Sequence, residues 1–354
     1  MRIATIVGAR PQFIKCSSLS KELRKKNEEI IIHTGQHYDE NMSNVFFREL
    51  KMPKPDYNLN VGSGSQSWQT GEMLIKIEEV LLKEKPEMVL VYGDTNSTLA
   101  GALVASKMGI PLAHVEAGLR SYDRSMPEEM NRVLTDHMSN ILFAPTRRAV
   151  VNLRKEGVVS GVHAVGDVMV DTLTNAKESI KKNESPILDL DLHDCPFIVL
   201  TIHRPQNTDN SKNLGSIIAG LGGTKNPIIF PMHPRTKKMM ITTGLIKKMP
   251  KNFIVIEPVS YFEMIRLMMD SKLVVTDSGG VQKEAFLLGR KCITLRDNTE
   301  WPETMVNGNN ILVGADTGRI KSALASPWIF KKSRAKPFGC LGASRRMAAI
   351  ISDC

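Results

Sequence analysis

At 354 residues the chain exceeds the usual size of one hydrophobic core, and its 42% hydrophobic and 24% charged residues exclude a disordered or fibrous protein. Basic residues outnumber acidic ones, 47 to 37, but they are spread along the chain in short clusters such as Lys21–Lys26, and with aromatics at 5% no basic stripe interleaved with rings marks a nucleic-acid surface. The five cysteines, Cys16, Cys195, Cys292, Cys340 and Cys354, are scattered and lack CxxC spacing, which argues against a disulfide framework or zinc site and for reduced thiols in a cytoplasm.

Met1-Arg2-Ile3 leads straight into an apolar strand, without the length of a signal peptide, and no run reaches about 18 apolar residues, so no membrane span is expected. Short apolar runs then alternate with helix-period stretches. Ile3–Val7, Ile30–His33, Met88–Tyr92, Pro111–Val115 and Ile141–Phe143 read as buried strands, with helices such as Trp68–Lys83 and Thr98–Lys107 between them. The pattern restarts with Phe197–Thr201, Pro227–Phe230, Phe253–Ile256, Leu273–Thr276 and Cys292–Leu295. Between the two sets lie a helical pattern, Val168–Asn183, and a polar stretch, Lys181–Asp194. Strands alternating with helices imply parallel βαβ units. The expected fold is α/β: two doubly wound, Rossmann-like domains facing a cleft, residues 1–167 and 168–335, with residues 336–354 as a C-terminal helix returning to the first domain.

In such sheets ligands bind beyond the carboxyl ends of the strands, so the motifs there carry most information. The first strand is followed by Gly8-Ala9-Arg10-Pro11-Gln12-Phe13-Ile14-Lys15. Gly8 suits a tight turn and Pro11 a first helical turn. Arg10 and Lys15 near a helix N-terminus oppose its dipole, a cost that a bound anion removes; this favours a diphosphate grip over a solvated helix face. Gly93-Asp94-Thr95 follows the strand Met88–Tyr92, where Asp94 is placed either for chemistry or, like Thr95, to cap the next helix. Glu116 ends the strand of His114-Val115-Glu116-Ala117-Gly118-Leu119-Arg120 and needs a partner if buried, with Arg120 and His114 as candidates. His114-x-Glu116 also matches the start of a zinc-deaminase signature, but the later PCxxC is missing and a metal site is set aside. Pro127-Glu128-Glu129 is either a helix first turn or a loop that places a carboxylate beside the cleft.

In the second half, His203 follows the strand Phe197–Thr201, where it can donate to a phosphate oxygen or serve structure alone. The most specific segment is Asp277-Ser278-Gly279-Gly280-Val281-Gln282-Lys283-Glu284. Its small residues let backbone N–H groups approach an anion at a helix N-terminus, and Glu284 can hold ribose hydroxyls; a simple capping turn is the alternative. No Walker sequence occurs, and Gly62-Ser63-Gly64 neither follows a strand nor completes GxGxxG, so neither P-loop chemistry nor a nicotinamide dinucleotide is supported.

Taken in order, Gly-Ala-Arg-Pro at 8–11, Gly-Asp-Thr at 93–95, His-Val-Glu-Ala-Gly-Leu-Arg at 114–120, Pro-Glu-Glu-x-Asn-Arg at 127–132, His-Arg at 203–204, Asp-Ser-Gly-Gly at 277–280 and Arg-Asp-x-Thr-Glu at 296–300 resemble the non-hydrolysing UDP-N-acetylglucosamine 2-epimerases. The resemblance covers nearly the whole chain. It implies the two-domain GT-B fold and a cytoplasmic, homodimeric isomerase that interconverts UDP-N-acetylglucosamine and UDP-N-acetylmannosamine for glycan precursor synthesis, without metal or cofactor. It implies that Arg10, Lys15 and His203 contact the diphosphate and that Ser278, Gly279 and Gly280 bind it. It assigns Glu284 to the ribose, and Asp94, Glu116 and Glu128 to the catalytic carboxylates, with His203 beside them. The chain departs from the family pattern at Trp301, where many relatives carry Arg, at Met264, where some stack an aromatic ring on uracil, and at Cys340-Leu341-Gly342. Gln36–Glu40 also departs from the pattern of members activated by a second substrate molecule, so that regulation is not expected. Two other classes compete: a GT-B glycosyltransferase, against which the segments at 114–120 and 127–132 speak, and a non-catalytic UDP-sugar sensor or basic nucleic-acid binder.

Overall fold

The computed structural model describes residues 1–36, 47, 49–181, 195–332 and 335–354. The segments 37–40 and 182–194, which bear on the activator pattern and the polar linker, lie outside the described residues. The chain divides into two compact units, Met1–Asn175 with Lys336–Cys354, and Ala176–Ala335.

The first unit is a seven-stranded sheet in which every adjacent pair is parallel. Its strands are β1 (Arg2–Val7), β2 (Glu28–His33), β3 (Tyr57–Asn58), β4 (Met88–Tyr92), β5 (Leu112–Val115), β6 (Ile141–Ala144) and β7 (Val162–Ala164), in the order β3-β2-β1-β4-β5-β6-β7. Helices cover both faces, which is why the strands read as unbroken apolar runs. Alternate residues go to opposite cores: Ile3, Val7, Ile31 and Leu90 to one, Ala4, Ile6, Ile30, Ile32, Val89 and Val91 to the other. The order reverses between β1 and β4, so their carboxyl ends flank a crevice.

The second unit repeats the plan with six strands, β8 (Ile198–Thr201), β9 (Ile228–Pro231), β10 (Phe253–Ile256), β11 (Leu273–Thr276), β12 (Lys291–Thr294) and β13 (Asn310–Leu312). Their order is β10-β9-β8-β11-β12-β13, again all parallel, and the reversal falls between β8 and β11. Of the segments singled out by sequence, those at 8–15, 93–95, 203–204 and 277–284 follow the four strands that border the two reversals, while 114–120 runs off the end of β5.

The units part between Asn175 and Ala176, inside the helix Val168–Ile180 and not ahead of it. The first turns of that helix belong to the first unit: Val168 is in its core, and the Thr172 hydroxyl lies 2.8 Å from Ser18 Oγ. The C-terminal helix Ala343–Ser352 completes the same unit, its Met347, Ala348 and Ile351 packing into the core with Leu19 and Leu23 of the helix Arg10–Leu23. The atypical Cys340 and Leu341 face solvent and leave this docking to others. Asp171 accepts the backbone N–H groups of Gly342 (2.6 Å) and Ser344 (2.7 Å), capping the helix from outside. Arg346 donates to Val165 O at 2.8 and 3.1 Å. At the crossing, Gly339 sits so close to Gly166 that a Cβ on it would lie 3.0 Å from the Gly166 Cα.

This anchoring makes a prediction. Asp171→Ala removes a charged acceptor from two N–H groups and should lower the unfolding free energy by about 1–2 kcal/mol, with earlier protease cleavage near residue 340. Unchanged urea midpoints and cleavage rates would show that Asp171 does not hold the segment.

Candidate active site

The loop after β1 is built by exclusion of side chains. A Cβ on Gly8 would lie 2.1 Å from both Ser97 Oγ and Thr34 Oγ1, so glycine is required there by space. Gln12, one turn into the helix Arg10–Leu23, accepts from Gly8 N (2.8 Å) and Ala9 N (3.0 Å) through its amide oxygen. Its amide nitrogen donates to Tyr92 O (3.0 Å) at the end of β4. One side chain thus ties the two loops at the reversal point together. Lys15, one turn further, is not on a solvated face: its ammonium is bonded to the Glu116 carboxylate, with both side chains largely buried.

Asp94 and Thr95 divide the roles that sequence left open. Thr95 caps the helix Asn96–Met108, its hydroxyl accepting from Thr98 N, while the half-buried Asp94 carboxylate is bonded to Arg132 Nη2. Gly93 between them and β4 has φ +64°, and a Cβ there would lie 3.2 Å from Lys15 Nζ and 3.6 Å from Glu116 Oε1. Arg10, Lys15, Asp94 and Glu116 are thus presented at the carboxyl ends of β1, β4 and β5.

Glu116 itself sits at φ +77°, a left-handed conformation that costs a non-glycine residue about 1–3 kcal/mol unless the surroundings enforce it. Here they do. The Glu116 and Ala117 N–H groups both donate to Phe143 O (3.2 and 3.1 Å), and Gly118 N donates to Asp136 Oδ2 (3.0 Å). Asp136 also takes Arg120 Nη1 (2.7 Å) and His114 Nδ1 (2.8 Å), and the other ring nitrogen of His114 meets Gly93 O at 2.8 Å. The two candidate partners of Glu116 therefore turn to a buried aspartate that sequence reading passed over. Burial alone would push the Asp136 carboxyl up, but the His114 ring and the Arg120 guanidinium outweigh it and hold it below the ordinary carboxylate value.

The third carboxylate, Glu128, lies in the first turn of the helix Pro127–Met138 and not in a loop. It is half-buried, whereas Glu129 turns inward and accepts from Ser121 N (2.9 Å), Tyr122 N (2.8 Å) and Arg132 Nη1 (2.6 Å). The adjacent acids have different surroundings, one half-exposed and one buried among donors.

In the second unit, Ser278 caps the helix Gly279–Leu287, its hydroxyl accepting from Val281 N at 3.4 Å, and the cap and first helical residues are Ser278-Gly279-Gly280. The capping turn that sequence offered as the alternative reading is present. A Cβ on Gly279 would lie 2.1 Å from Glu300 Oε1, and Glu300 is held by Arg296 Nη1 at 2.8 Å, with Arg204 Nη2 at 3.6 Å from its other oxygen. Asp277, fully buried, accepts the backbone N–H groups of His203 (3.1 Å) and Arg204 (3.0 Å), with His203 Nδ1 at 3.3 Å from the same carboxylate. The exposed His203 ring thereby has one nitrogen set against Asp277. Glu284 is buried in the second turn of the helix. Trp301 is buried too, with Lys283 Nζ 3.9 Å from its ring centroid, so this departure is absorbed as a cation–π pair. Met264 is buried on the helix Tyr261–Asp270. Among the described residues no group of three or more His, Cys, Asp or Glu side chains could hold a metal ion, and no helix is long and apolar enough to cross a membrane.

Comparison with known proteins gives this geometry a setting. The family model described as UDP-N-acetylglucosamine 2-epimerase matches residues 21–352. The chain is 58% identical over 323 residues, 90% of each protein, to a UDP-N-acetylglucosamine 2-epimerase homolog of Methanococcus maripaludis. It is 52% identical over 361 residues, 99% of each, to the UDP-2,3-diacetamido-2,3-dideoxy-D-glucuronate 2-epimerase of Pseudomonas aeruginosa. The crystal structure of the Methanocaldococcus jannaschii UDP-GlcNAc 2-epimerase in complex with UDP-GlcNAc and UDP superposes with a TM-score of 0.93 at 46% identity, over the full length of both chains.

The Asp136 network predicts a pH dependence. A carboxyl held below its unfolded value stabilises the fold above about pH 4, and that contribution is lost as pH falls through the folded value. Asp136→Asn should therefore lower stability at pH 7, by about 3 kcal/mol for a broken buried ion pair, and flatten the acid-side decline between pH 5 and 3. Urea unfolding across that range reads it, and parallel acid limbs for both proteins would contradict it.

Proposed function

The chain belongs to the UDP-N-acetylglucosamine 2-epimerase family and is an isomerase, and from that premise we propose that it inverts carbon 2 of UDP-N-acetylglucosamine reversibly to give UDP-N-acetylmannosamine. The observation that supports this most is the cluster at the reversal point of the first sheet: Asp94 and Glu116, on adjacent strand ends, each bonded to a largely buried cation.

The proton on carbon 2 is not acidified by a neighbouring carbonyl, so direct abstraction and return is too slow. Elimination avoids the difficulty. A carboxylate takes the carbon 2 proton, the C–H electron pair forms a C1=C2 double bond, and the C1–O bond breaks with its pair leaving on the diphosphate of UDP. UDP then adds back to carbon 1 while a proton returns to the opposite face of carbon 2. Two faces call for more than one acid/base group, which Asp94, Glu116 and Glu128 supply. Charge grows on the departing diphosphate, and Arg10, Lys15, His203 and the N–H groups at Ser278-Gly279-Gly280 are the preorganised donors for it. Glu284 takes the ribose hydroxyls. We also propose that the enzyme is a cytoplasmic homodimer serving glycan precursor synthesis.

A second reading concerns the sugar alone. The Pseudomonas aeruginosa relative, at 52% identity, carries the name of a 2,3-diacetamido-glucuronate epimerase, so a uronate carrying a second acetamido group is the alternative substrate for the same chemistry.

Purified protein incubated with UDP-N-acetylglucosamine in heavy water should place deuterium at carbon 2 and form UDP-N-acetylmannosamine without added metal or nicotinamide. No exchange with either UDP-sugar would sink the proposal; exchange with the diacetamido uronate alone would move it to the second reading. Glu116→Gln should cut turnover at least about 100-fold while UDP binding, by calorimetry, is kept. Full turnover in that variant would remove Glu116 from the chemistry.

A further inference from the structure

Arg132 is among the largest fully buried side chains of the described residues, 2% exposed, and it has two carboxylate partners of different kinds. Its Nη1 donates to Glu129, whose side chain is 4% exposed and whose oxygens also take the backbone N–H groups of Ser121 and Tyr122. Its Nη2 donates to Asp94, whose side chain is 26% exposed. Glu129 alone would neutralise the guanidinium. A role confined to folding therefore needs only the inner contact, and leaves the reach to a partly open carboxylate unexplained.

The neighbouring residue acts on the same target. Asn131 Nδ2 donates to Asp94 O at 3.0 Å and lies 3.2 Å from Asn96 Oδ1. Asp94 is thus gripped by its carbonyl and by its carboxylate from one turn of one helix. That helix, Pro127–Met138, carries Glu128 in its first turn, four residues before Arg132 and hence on the same face. The guanidinium fork accepts no rotation without losing one of its two anions, since its donors are fixed in a plane.

We propose that Arg132 is a positioning residue for Asp94: anchored by Glu129, it sets the direction of the Asp94 carboxylate and its register against Glu128. The inference rests on the epimerase reading above, in which Asp94 and Glu128 face the sugar. The motif Pro-Glu-Glu-x-Asn-Arg then has a physical meaning: Glu128 for the sugar, Glu129 and Arg132 for the inward clamp, Asn131 for the backbone.

The test is a double-mutant cycle read by deuterium exchange at carbon 2 of UDP-N-acetylglucosamine, with Arg132→Gln, Asp94→Asn and the pair. A carboxylate misplaced by about an ångström costs on the order of 100-fold, so Arg132→Gln should lose about that in kcat with KM little changed. If Arg132 acts through Asp94, the double variant is about as slow as Asp94→Asn alone. Losses that multiply overturn the inference. Arg132→Lys keeps the charge without the fork and covers a failure of Arg132→Gln to fold. With circular dichroism and thermal midpoint close to wild type it should still lose at least about 10-fold in kcat, and full activity would also overturn the proposal. Absence of exchange in the wild-type protein is a separate outcome, which takes the epimerase reading down and this inference with it.

Discussion

A buried carboxylate holding a strained turn is the constraint on which the first unit's site depends. Glu116 can present its side chain at the end of β5 only because its backbone is left-handed, and the turn is closed by Phe143 O on one side and Asp136 on the other. Asp136 is itself kept charged by His114 and Arg120, so the strain at Glu116 is offset by an ion cluster that no solvent reaches. His114 passes the same rigidity to Gly93, next to Asp94. The carboxylates proposed for the chemistry are held through each other's strand ends.

The second unit uses the same device with different residues. Asp277 is fully buried at the end of β11 and takes two backbone N–H groups of the loop after β8, with His203 against it. In the second unit the buried aspartate fastens the two loops that flank the reversal in strand order; in the first, Asp136 fastens the turn after β5, and Gln12 ties the loops after β1 and β4. An uncompensated charge in such a place would be costly, which is why each aspartate is surrounded by donors.

The central strands were legible because a parallel sheet covered on both faces demands continuous apolar runs, and Met88–Tyr92 and Leu273–Thr276 are fully buried runs with no charged interruption. The edge strands Tyr57–Asn58, Val162–Ala164 and Asn310–Leu312 were not, since two or three residues leave no period to read. Local chemistry identified the segments at the strand ends but not who pairs with whom. Lys15 lies 101 residues from Glu116, and Arg132 lies 38 from Asp94, and only the sheet order brings them together. Asp136 and Glu129 were missed for a related reason: a buried acid on an amphipathic helix looks in sequence like its solvated neighbours. The signal available was the spacing Glu129-x-x-Arg132, which puts an acid and a base on one face.

The return of residues 336–354 to the first unit makes that unit discontinuous, with the whole of the second inserted between its parts. A ribosome therefore delivers all of Ala176–Ala335 before it delivers the last helix against Leu19 and Leu23. The later half of the message can finish its own core first, while the earlier half waits with an apolar flank uncovered. The quality-control burden of this chain falls on its beginning, and it ends only when the final turn of helix has left the exit tunnel.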